Sequence, residues 1–312
     1  MWISKRLFLG CIFGSPILSI MLSLLLPTLA LCMAQAPQVS QEPPAIRMLS
    51  WNIENFFDRW DDPYRRDQIT KPAYASDARM ERVAKVLQAF DADVVALQEV
   101  ENRWHLEQFV DKYLGDMGYE VVHFEGNDTR GIDVALLSRI PLGEVTSYRH
   151  IRFKDSKGKE QHFRRDLLRV RVEGNFQTDV YVVHLKSQWG DEAADVVRES
   201  ESAAILKIIQ GEIKKNPAYR GVVCGDFNEV PEMPTLGLLR DGGLVDPMKG
   251  TEKYTYNKEP YLTRIDYAMC TPSLASTLLT AEVIDESPVE GVRLEDATDH
   301  YPLLVTFSPT GL

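Results

Sequence analysis

Cysteine is scarce in this sequence, and its scarcity excludes two kinds of protein. The chain has 4 cysteines in 312 residues, and two of them, Cys11 and Cys32, lie in an N-terminal segment that we predict is removed. The other two, Cys224 and Cys270, lie in apolar, strand-like runs, so we expect two buried thiols and no disulfide framework. No cluster of Cys and His indicates a zinc site.

Positive charge is also in short supply. Lys and Arg number 35 against 46 Asp and Glu, and the net charge is −11 at pH 7. Removal of the N-terminal segment with Lys5 and Arg6 takes it to −13. This balance argues against tight, sequence-independent binding of nucleic acid through a basic face. It does not exclude a nuclease, because bound divalent cations offset acidic groups that cluster at a site.

Long apolar runs are missing except at the N-terminus. Lys5 and Arg6 precede an apolar run from Leu7 to Met33, and Ala34-Gln35-Ala36 matches a small-x-small cleavage site. We therefore predict a signal peptide over residues 1–36, cleaved near Ala36, and an exported protein, periplasmic or extracellular. Retention of the run as a membrane anchor is the alternative.

The rest of the chain lacks linkers and internal repeats. Residues 37–45, with three prolines among polar residues, are predicted to form a flexible lead-in. Residues 46–308 show no shift in composition and are predicted to form a single domain. The 3.6-residue period of apolar side chains predicts helices from Ser76 or Asp77 to Phe90, near Arg103–Met117, and from Asp191 to about Lys215.

What the sequence does contain is a series of polar residues at the ends of strand-like runs. Gly225-Asp226-Phe227-Asn228 follows the apolar run Arg220–Cys224, which places an acid and an amide at the end of a buried strand. Strand ends are where α/β folds usually carry their chemistry. A turn stabilised by Asp226 and Asn228, without catalytic purpose, is the alternative.

Three runs in the first half show the same pattern. In Trp51-Asn52-Ile53-Glu54, the residues Asn52, Glu54 and Phe56 are predicted to alternate onto one face of a mostly apolar strand, where polar groups are costly to bury without partners. Glu99 ends the run Asp93–Val100, although an acid there could equally begin the next helix. Arg130 precedes a run that contains Asp133, and for that pair we favour a solvated ion pair at a strand edge.

Three more polar positions follow in the second half. His184 ends the strand-like run Gln177–Val183, and Lys186, two residues later, suits an anionic ligand. Asp266 is an isolated acid in the strand-like run Tyr261–Cys270, and Asp is a poor strand former. Asp299-His300 precedes the last apolar run, where His300 could supply a general acid or base or merely form a turn.

Six of these motifs, in their order along the chain, resemble those of the endonuclease/exonuclease/phosphatase superfamily. They are Trp51-Asn52-Ile53-Glu54, Leu97-Gln98-Glu99-Val100, His184, Gly225-Asp226-Phe227-Asn228, Ile265-Asp266-Tyr267 and Thr298-Asp299-His300. The resemblance covers essentially the whole predicted domain. It implies a four-layer α/β sandwich of two mixed, mostly antiparallel β-sheets flanked by helices. The pattern of elements agrees, because strands outnumber helices and do not alternate strictly with them.

The resemblance also implies a metal site. Glu99 would be the principal ligand of a divalent cation, assisted by Asn52, by Asp299 and by Glu54, a position where some members of the superfamily carry an acid. Hard oxygen ligands of this kind suit Mg²⁺, with Mn²⁺ as a substitute.

The remaining motif residues receive catalytic roles from the resemblance. Asp226 would orient or deprotonate the attacking water, and Asn228 would hold the phosphate or that water. His300 would contact the phosphate, with Asp266 as its hydrogen-bonded orienter. His184 would donate to a phosphate oxygen or act as general acid. Lys186 and Arg130 are candidates for binding substrate phosphates.

We therefore predict an exported, divalent-metal-dependent phosphodiesterase, specifically a nuclease that hydrolyses DNA by metal-assisted attack of an activated water. A phosphatase or phosphodiesterase of small or lipid phosphoesters is the alternative, and the acidic surface favours it. A non-catalytic binding module on the same scaffold is the third possibility, and the presence of all the main side chains argues against it. We expect a monomer whose only required partner is its phosphodiester substrate, DNA.

Overall fold

The computed structural model describes residues 44–60, 62–65 and 74–309. The predicted signal peptide and nearly all of the lead-in lie outside these residues and stay predictions. The residues from Glu42 to Leu312 form one compact unit. Within the part of the chain that is described, no helix has both the length and the apolar character needed to cross a membrane.

Two mixed β-sheets form the centre of this unit. Their strands, in chain order, are β1 (Ile46–Phe56), β2 (Val94–Val100), β3 (Glu120–His123), β4 (Asp133–Ser138), β5 (Leu142–Ser147), a hairpin of β6 (Phe153–Lys154) and β7 (Glu160–Gln161) outside the two sheets, β8 (Leu168–Val172), β9 (Thr178–His184), β10 (Gly221–Asp226), β11 (Asp266–Cys270), β12 (Leu278–Val283) and β13 (Leu303–Phe307). The first sheet has the order β12-β13-β1-β2-β4-β3 and the second β11-β10-β9-β8-β5. Each sheet contains one parallel pair, β1 with β2 and β9 with β10, among antiparallel neighbours.

Helices flank the sheets, and their ends follow the local sequence. They are α1 (Asp77–Phe90), α2 (Arg103–Tyr113), α3 (Asp191–Lys215), α4 (Pro234–Asp241) and the single turn α5 (Pro272–Ala275). Ser76 caps α1 by accepting from the backbone N–H of Arg79, and Asn102 caps α2 by accepting from that of His105 at 2.7 Å. The predicted helix near Arg103–Met117 ends earlier, because Leu114 leaves the helical conformation and a 3₁₀ turn follows.

The apolar side chains form two clusters that reveal the layers. One cluster joins the first sheet to α1 and α2 and includes Val222 and Cys224 of β10. The other joins Val223 of the same strand to α3 and α4 through Ile205 and Leu239. Alternate residues of a strand point to opposite faces, so the second sheet is buried on both sides. The layers are therefore helix, sheet, sheet, helix, which confirms the predicted four-layer sandwich.

Some sequence predictions need correction. Strand β11 covers only the second half of the predicted strand Tyr261–Cys270. In the first half, Thr263 forms an isolated antiparallel bridge with Tyr256. Helix α4 and strand β12 were not predicted: α4 has only 8 residues, and β12 buries a single side chain, so neither gives a clear periodic signal. Cys224 and Cys270 are buried and free, as predicted, and burial raises the pKa of the Cys224 thiol to about 12.

Candidate active site

Three of the predicted site residues stand side by side at the ends of neighbouring strands in the second sheet. Asp226 of β10 is in register with His184 of β9 on one side and Asp266 of β11 on the other. All three are buried. The His184 Nε2 and Asp226 Oδ2 atoms are 3.4 Å apart. These side chains are distant in sequence, so strand pairing alone brings them together.

Gly225 allows the parallel strands to approach closely beside these residues. Its φ of +137° lies in a region that side-chain-bearing residues rarely adopt. A Cβ atom at this position would lie 2.0 Å from the carbonyl oxygen of Val183. The glycine before Asp226 is therefore required by the pairing of β10 with β9.

In the first sheet, a bulge re-aims the polar side chains. The pairing of β1 with β2 is regular up to Asn52 and resumes at Phe56, and Glu54, Asn55 and Glu99 take positive φ values of 45°, 42° and 65°. Such values are uncommon outside glycine and tend to cluster at functional sites. The Glu99 Oε2 atom accepts a 2.7 Å hydrogen bond from the Asn55 backbone N–H.

The bulge also corrects two expectations. Phe56 packs against Phe109 of α2 at 5.1 Å between ring centroids, whereas Asn52 points toward the second sheet. The predicted alternation of Asn52, Glu54 and Phe56 onto one face is therefore wrong for Phe56, whereas Glu54 lies near Asp299 and Glu99. Glu99 belongs to the bulge in β2 and does not begin a helix, since α2 starts four residues beyond it, after its own cap Asn102.

Asn52 joins the two sheets at the site. Its side-chain Nδ2 donates to Asp226 Oδ2 at 3.1 Å, and its Oδ1 accepts from the Glu54 N–H at 3.0 Å. Asp226 Oδ1 accepts from the Asn228 N–H at 2.7 Å. Asn228, with φ 52°, also donates from Nδ2 to the Leu185 carbonyl at 3.1 Å. The Asp226 carboxylate is thus held from both sheets.

His300 forms a pair with Asp266 that matches the expected orienting contact. Its Nδ1 lies 2.8 Å from Asp266 Oδ2, while its Nε2 lies 3.9 Å from both Asp226 Oδ2 and Asp299 Oδ1. Burial acts against a charged imidazole, but the Asp266, Asp226 and Asp299 carboxylates outweigh it and raise the pKa of His300 well above its usual value. His300 is accordingly an imidazolium at neutral pH.

The pKa values of His184 and Asp226, the other two buried groups, are shifted in opposite directions. Burial, followed by the charges of Arg165, Arg130 and His300, lowers the pKa of His184 well below its usual value. Burial and the neighbouring Asp266 raise the pKa of Asp226 to about 7, although His300 acts in the opposite direction. At neutral pH, His184 is a neutral imidazole, and Asp226 is divided between the protonated acid and the carboxylate, which can accept a proton.

The residues expected to bind metal form a half-buried acidic cluster beside these groups. Burial and the charge of Asp299 raise the pKa of Glu54, and Glu99 adds to the effect. Burial likewise raises the pKa of Asp299, with Glu99 again contributing. Carboxylates that oppose one another's ionisation, beside the amide oxygen of Asn52, fit a hard divalent cation. The residues present therefore suit the metal that the resemblance implies.

Two tighter groups of potential ligands occur in the described part of the chain, and neither contains Glu99. In each, the candidate atoms lie within 4.8 Å of one another: Asp226, Asp266 and His300 in one, and His123, Glu125 and Asp133 in the other. In the first group, His300 is bonded to Asp266 and protonated, so its charge already offsets that carboxylate without a metal. In the second, burial raises the pKa of Asp133 to about 8 and lowers that of His123 to about 4, so both are neutral near pH 7.

The expected ion pair of Arg130 with Asp133 is wrong. Asp133 is fully buried and accepts a 2.8 Å hydrogen bond from the Gly126 N–H, while the Arg130 Nε lies 3.7 Å from Asp128. Arg130 and Lys186 both line a groove next to the site, and their role in binding phosphate stays a prediction.

Three functional neighbours escaped the sequence analysis. The Arg79 guanidinium donates to the backbone carbonyls of Ile53 and Glu54 and holds the bulge. Arg165 is buried and acts on the pKa of His184. Tyr256 packs edge-on against His300 at 5.3 Å between ring centroids. An arginine in the first turn of a helix normally points into solvent, so no local signal singles out Arg79.

The chain thus combines an α/β sandwich of two face-to-face mixed sheets with a His–Asp pair, a second buried aspartate and an acidic cluster at adjoining strand ends. A model of the endonuclease/exonuclease/phosphatase family matches residues 47–257, and the chain belongs to that family. No protein of curated function matches it by sequence.

Solved structures share the fold at low sequence identity. Truncated TDP2 from Caenorhabditis elegans is 18% identical with a TM-score of 0.57, over 85% of this chain and 98% of that one. The human Nocturnin catalytic domain with a bound sulfate is 18% identical with a TM-score of 0.59, over 85% and 93%. The 3′ phosphatase NExo from Neisseria, bound to a product DNA hairpin, is 18% identical with a TM-score of 0.57, over 84% and 99%.

Proposed function

We propose that this chain is an exported, Mg²⁺- or Mn²⁺-dependent phosphodiesterase that hydrolyses DNA by attack of an activated water, acting as an endonuclease. The observation that carries the proposal is the environment of Asp226. Its carboxylate is fixed by Asn52 and Asn228, and its pKa is raised to about 7. A base whose pKa lies near the working pH combines the ionised form with a useful affinity for the proton.

In this reaction, Asp226 takes a proton from the water that attacks phosphorus, the bond from phosphorus to the leaving oxygen breaks, and the leaving oxygen takes a proton from solvent. Asn228, whose amide is oriented by the Leu185 carbonyl, holds that water or a phosphate oxygen. The site must also stabilise the negative charge that the phosphate carries in the transition state. His300 does so as an imidazolium, since Nδ1 is engaged by Asp266 and the Nε2–H is left to donate to the phosphate.

His184 serves as a hydrogen-bond donor to a phosphate oxygen. A general acid must be protonated before the reaction, and burial with the nearby arginines lowers the pKa of His184 well below neutrality. Of the two roles implied by the resemblance, the donor role is therefore the one that its surroundings favour. A neutral imidazole still carries one N–H.

Glu99, Asn52 and Asp299, with Glu54, would hold the divalent cation, which when bound supplies charge neutralisation at the phosphate oxygens. Asn52 is well suited to this set because its amide nitrogen is engaged by Asp226. That bond fixes which end of the amide faces the acidic cluster.

DNA as substrate is supported by relatives and export by the sequence. One structural neighbour is bound to a product DNA hairpin, and Arg130 and Lys186 line a groove beside the site. Export rests on the apolar run Leu7–Met33 and the small-x-small motif that follows it.

The test is to assay supercoiled plasmid and bis-p-nitrophenyl phosphate side by side with Mg²⁺, Mn²⁺ or EDTA. We expect metal-dependent nicking of the plasmid, and a loss of at least about 10²-fold in the Asp226→Asn variant, which keeps the shape of the side chain but not the base. The variant keeps one acceptor oxygen but loses the other, which accepts from the Asn52 amide or the Asn228 N–H in the wild type, so circular dichroism is used to show that it is folded. A fully active Asp226→Asn protein would refute the mechanism.

A second candidate function is hydrolysis of small or lipid phosphoesters. The net charge of −11 favours it, because an acidic protein repels a polyanion more strongly than a small anion. Intact plasmid together with metal-dependent turnover of the small diester would select this function.

A further inference from the structure

A groove of about 550 Å³ beside His184 concentrates positive charge on an otherwise acidic protein. Arg130, Arg164, Arg165 and Lys186 line it, with Trp189 at its rim. Among the lining residues that the structure describes, the only carboxylate is that of Asp128, which lies 3.1 Å from the Arg165 Nε and 3.7 Å from the Arg130 Nε. The groove is therefore strongly cationic.

Two of these cations have no acidic partner among the described residues. Arg164 donates to the Gln161 side chain at 3.0 Å, and the Lys186 Nζ to the Ser187 hydroxyl at 3.1 Å, but neither forms an ion pair there. Burial and the charges of Arg165, Arg198 and Arg164 lower the pKa of Lys186. Positive groups that oppose one another in this way are stabilised by an anionic ligand.

Hydrogen bonds to buried Glu201 hold the two segments that carry Arg164 and Lys186 in place. Buried Glu201 of α3 accepts from the backbone N–H of Arg164 at 2.7 Å and from that of Lys186 at 2.9 Å, so it fixes both segments from below. Arg130 and Arg165 are close enough to His184 to lower its pKa, after the larger effect of burial. One end of the groove thus adjoins the catalytic residues.

Trp189 provides a flat apolar surface at this cationic groove. It is 88% exposed, an unfavourable position for an indole without a partner. Its carbonyl accepts from the Lys186 Nζ at 2.5 Å, which anchors its backbone just before α3. Cations that track phosphates combined with an exposed aromatic ring are the features that bind single strands, because an unpaired base can stack on the ring. Paired bases in a duplex are already stacked and expose only their edges.

We propose that this groove binds a single-stranded segment of nucleic acid, with its phosphates on Arg130, Arg164 and Lys186 and an unpaired base stacked on Trp189. The strand then runs from the groove to Asp226 and His300, so the enzyme selects unpaired or frayed regions. This inference rests on the proposed function and names the form of substrate that the same site accepts.

Binding is measured with the purified protein in EDTA, so that no cleavage occurs. The probes are a fluorescent oligothymidine, the same strand in a duplex, and a strand of equal length that carries abasic sites. We expect the single strand to bind more tightly than the duplex. Trp189→Ala should weaken its binding by about 10-fold or more, and should leave binding of the abasic strand unchanged. Arg164→Ala should weaken the binding of both single strands alike. It should also lower the salt dependence of the affinity by the equivalent of about one phosphate contact.

Matched controls separate this result from a general loss of structure or charge. Trp104→Ala removes another exposed tryptophan outside the groove, and Lys214→Ala removes an exposed cation from the far end of α3. Both should bind like the wild type, and Trp189→Phe should retain most of the single-strand affinity. Equal affinity for duplex and single strand, or a Trp189→Ala protein that binds like Trp104→Ala, overturns the proposal.

The plasmid assay keeps the two proposals apart. Wild-type protein that nicks plasmid, with a Trp189→Ala variant that binds the single strand normally, refutes the groove and retains the nuclease. Selective binding of the single strand through Trp189, without cleavage of any DNA, supports the groove and refutes the nuclease.

Discussion

His184 and His300 show at the residue scale how neighbours, and not burial alone, decide the chemistry of a side chain. Both are buried beside Asp226. Arg165 and Arg130 add to burial in lowering the pKa of His184, whereas Asp266 and two further carboxylates overcome burial and raise that of His300. One imidazole is therefore neutral and the other charged, which gives the site two donors with different charge.

The acidic cluster leads to a prediction about metal binding. Mg²⁺ should raise the melting temperature of the wild type, because a ligand that binds only the folded state stabilises it, by about 2.7 kcal/mol at 100 times the Kd. In Glu99→Gln this rise should be largely lost, while the melting temperature in EDTA should not fall, since the variant relieves repulsion with Glu54 and Asp299. Differential scanning fluorimetry measures both, and Glu120→Gln at the exposed first residue of β3 is the control. An equal Mg²⁺ shift in Glu99→Gln and wild type would remove Glu99 from the metal site.

At the element scale, the site depends on departures from regular strands. The bulges in β1 and β2 turn Glu54 and Glu99 toward the acidic cluster, and Arg79 of α1 satisfies the carbonyls that the bulge leaves unpaired. The close approach of β9 and β10 at Gly225 places His184 against Asp226. Each irregularity coincides with a predicted site residue.

The approach at Gly225 can be tested by adding one methyl group. Gly225→Ala forces a Cβ against the Val183 carbonyl at a positive φ, so we expect a loss of about 3 kcal/mol or more in the free energy of unfolding. Gly237→Ala is the control, because it lies within α4 with no atom within 4 Å of the added Cβ. It should be neutral or stabilising by about 1 kcal/mol. Urea unfolding measures both, and equal stabilities would contradict the close approach.

Strand β4 carries a prediction about pH. The folded pKa of Asp133 is about 8, against about 3.9 in an unfolded chain. Between these values the folded state binds the extra proton, so stability falls as pH rises through this window and levels off above pH 8. His123 has a folded pKa of about 4 and an unfolded one near 6.5. Its contribution therefore makes stability rise with pH between these two values and changes little above pH 6.5.

Unfolding free energies at pH 6.5 and 8 isolate the contribution of Asp133. The wild type should lose about 2 kcal/mol more than Asp133→Asn between these values, from roughly 1.4 kcal/mol per pH unit. Asp155→Asn is the control, because hydrogen bonds from Gln161 and the backbone lower the pKa of the exposed Asp155 carboxyl and keep it ionised throughout. An identical pH dependence in Asp133→Asn and wild type would show that Asp133 ionises normally in the folded state.

The whole molecule sets a net negative charge against a local cationic groove. The chain carries −11 overall, while four cations gather beside the site. Distant charges are screened within about 8 Å at physiological ionic strength, so a bound strand responds mainly to the groove. The acidic remainder disfavours contact with DNA elsewhere on the surface.

Salt dependence distinguishes the substrate classes at this scale. For plasmid or oligonucleotide cleavage, kcat/KM should fall about 10-fold or more between 50 and 200 mM salt, because several phosphate contacts release counterions. Turnover of bis-p-nitrophenyl phosphate, which has a single phosphate, should change much less. Similar salt slopes for the two substrates would favour a small or lipid phosphoester as the natural substrate.

The sequence by itself determined the main helices and most strands, the buried free thiols and the order of the polar motifs, because periodicity, capping and strand-end residues are local properties. It also identified Asp226, His300 and Glu99 through their motifs. Only the tertiary structure decided that bulges re-aim Glu54 and Glu99, and that Arg164, Arg165 and Trp189 share a groove. These features depend on strand pairing and burial between residues far apart in the chain, and burial with neighbouring charge determines each pKa. Asp133 illustrates the limit, since its local sequence indicates a solvated ion pair and its packing makes it a buried neutral acid.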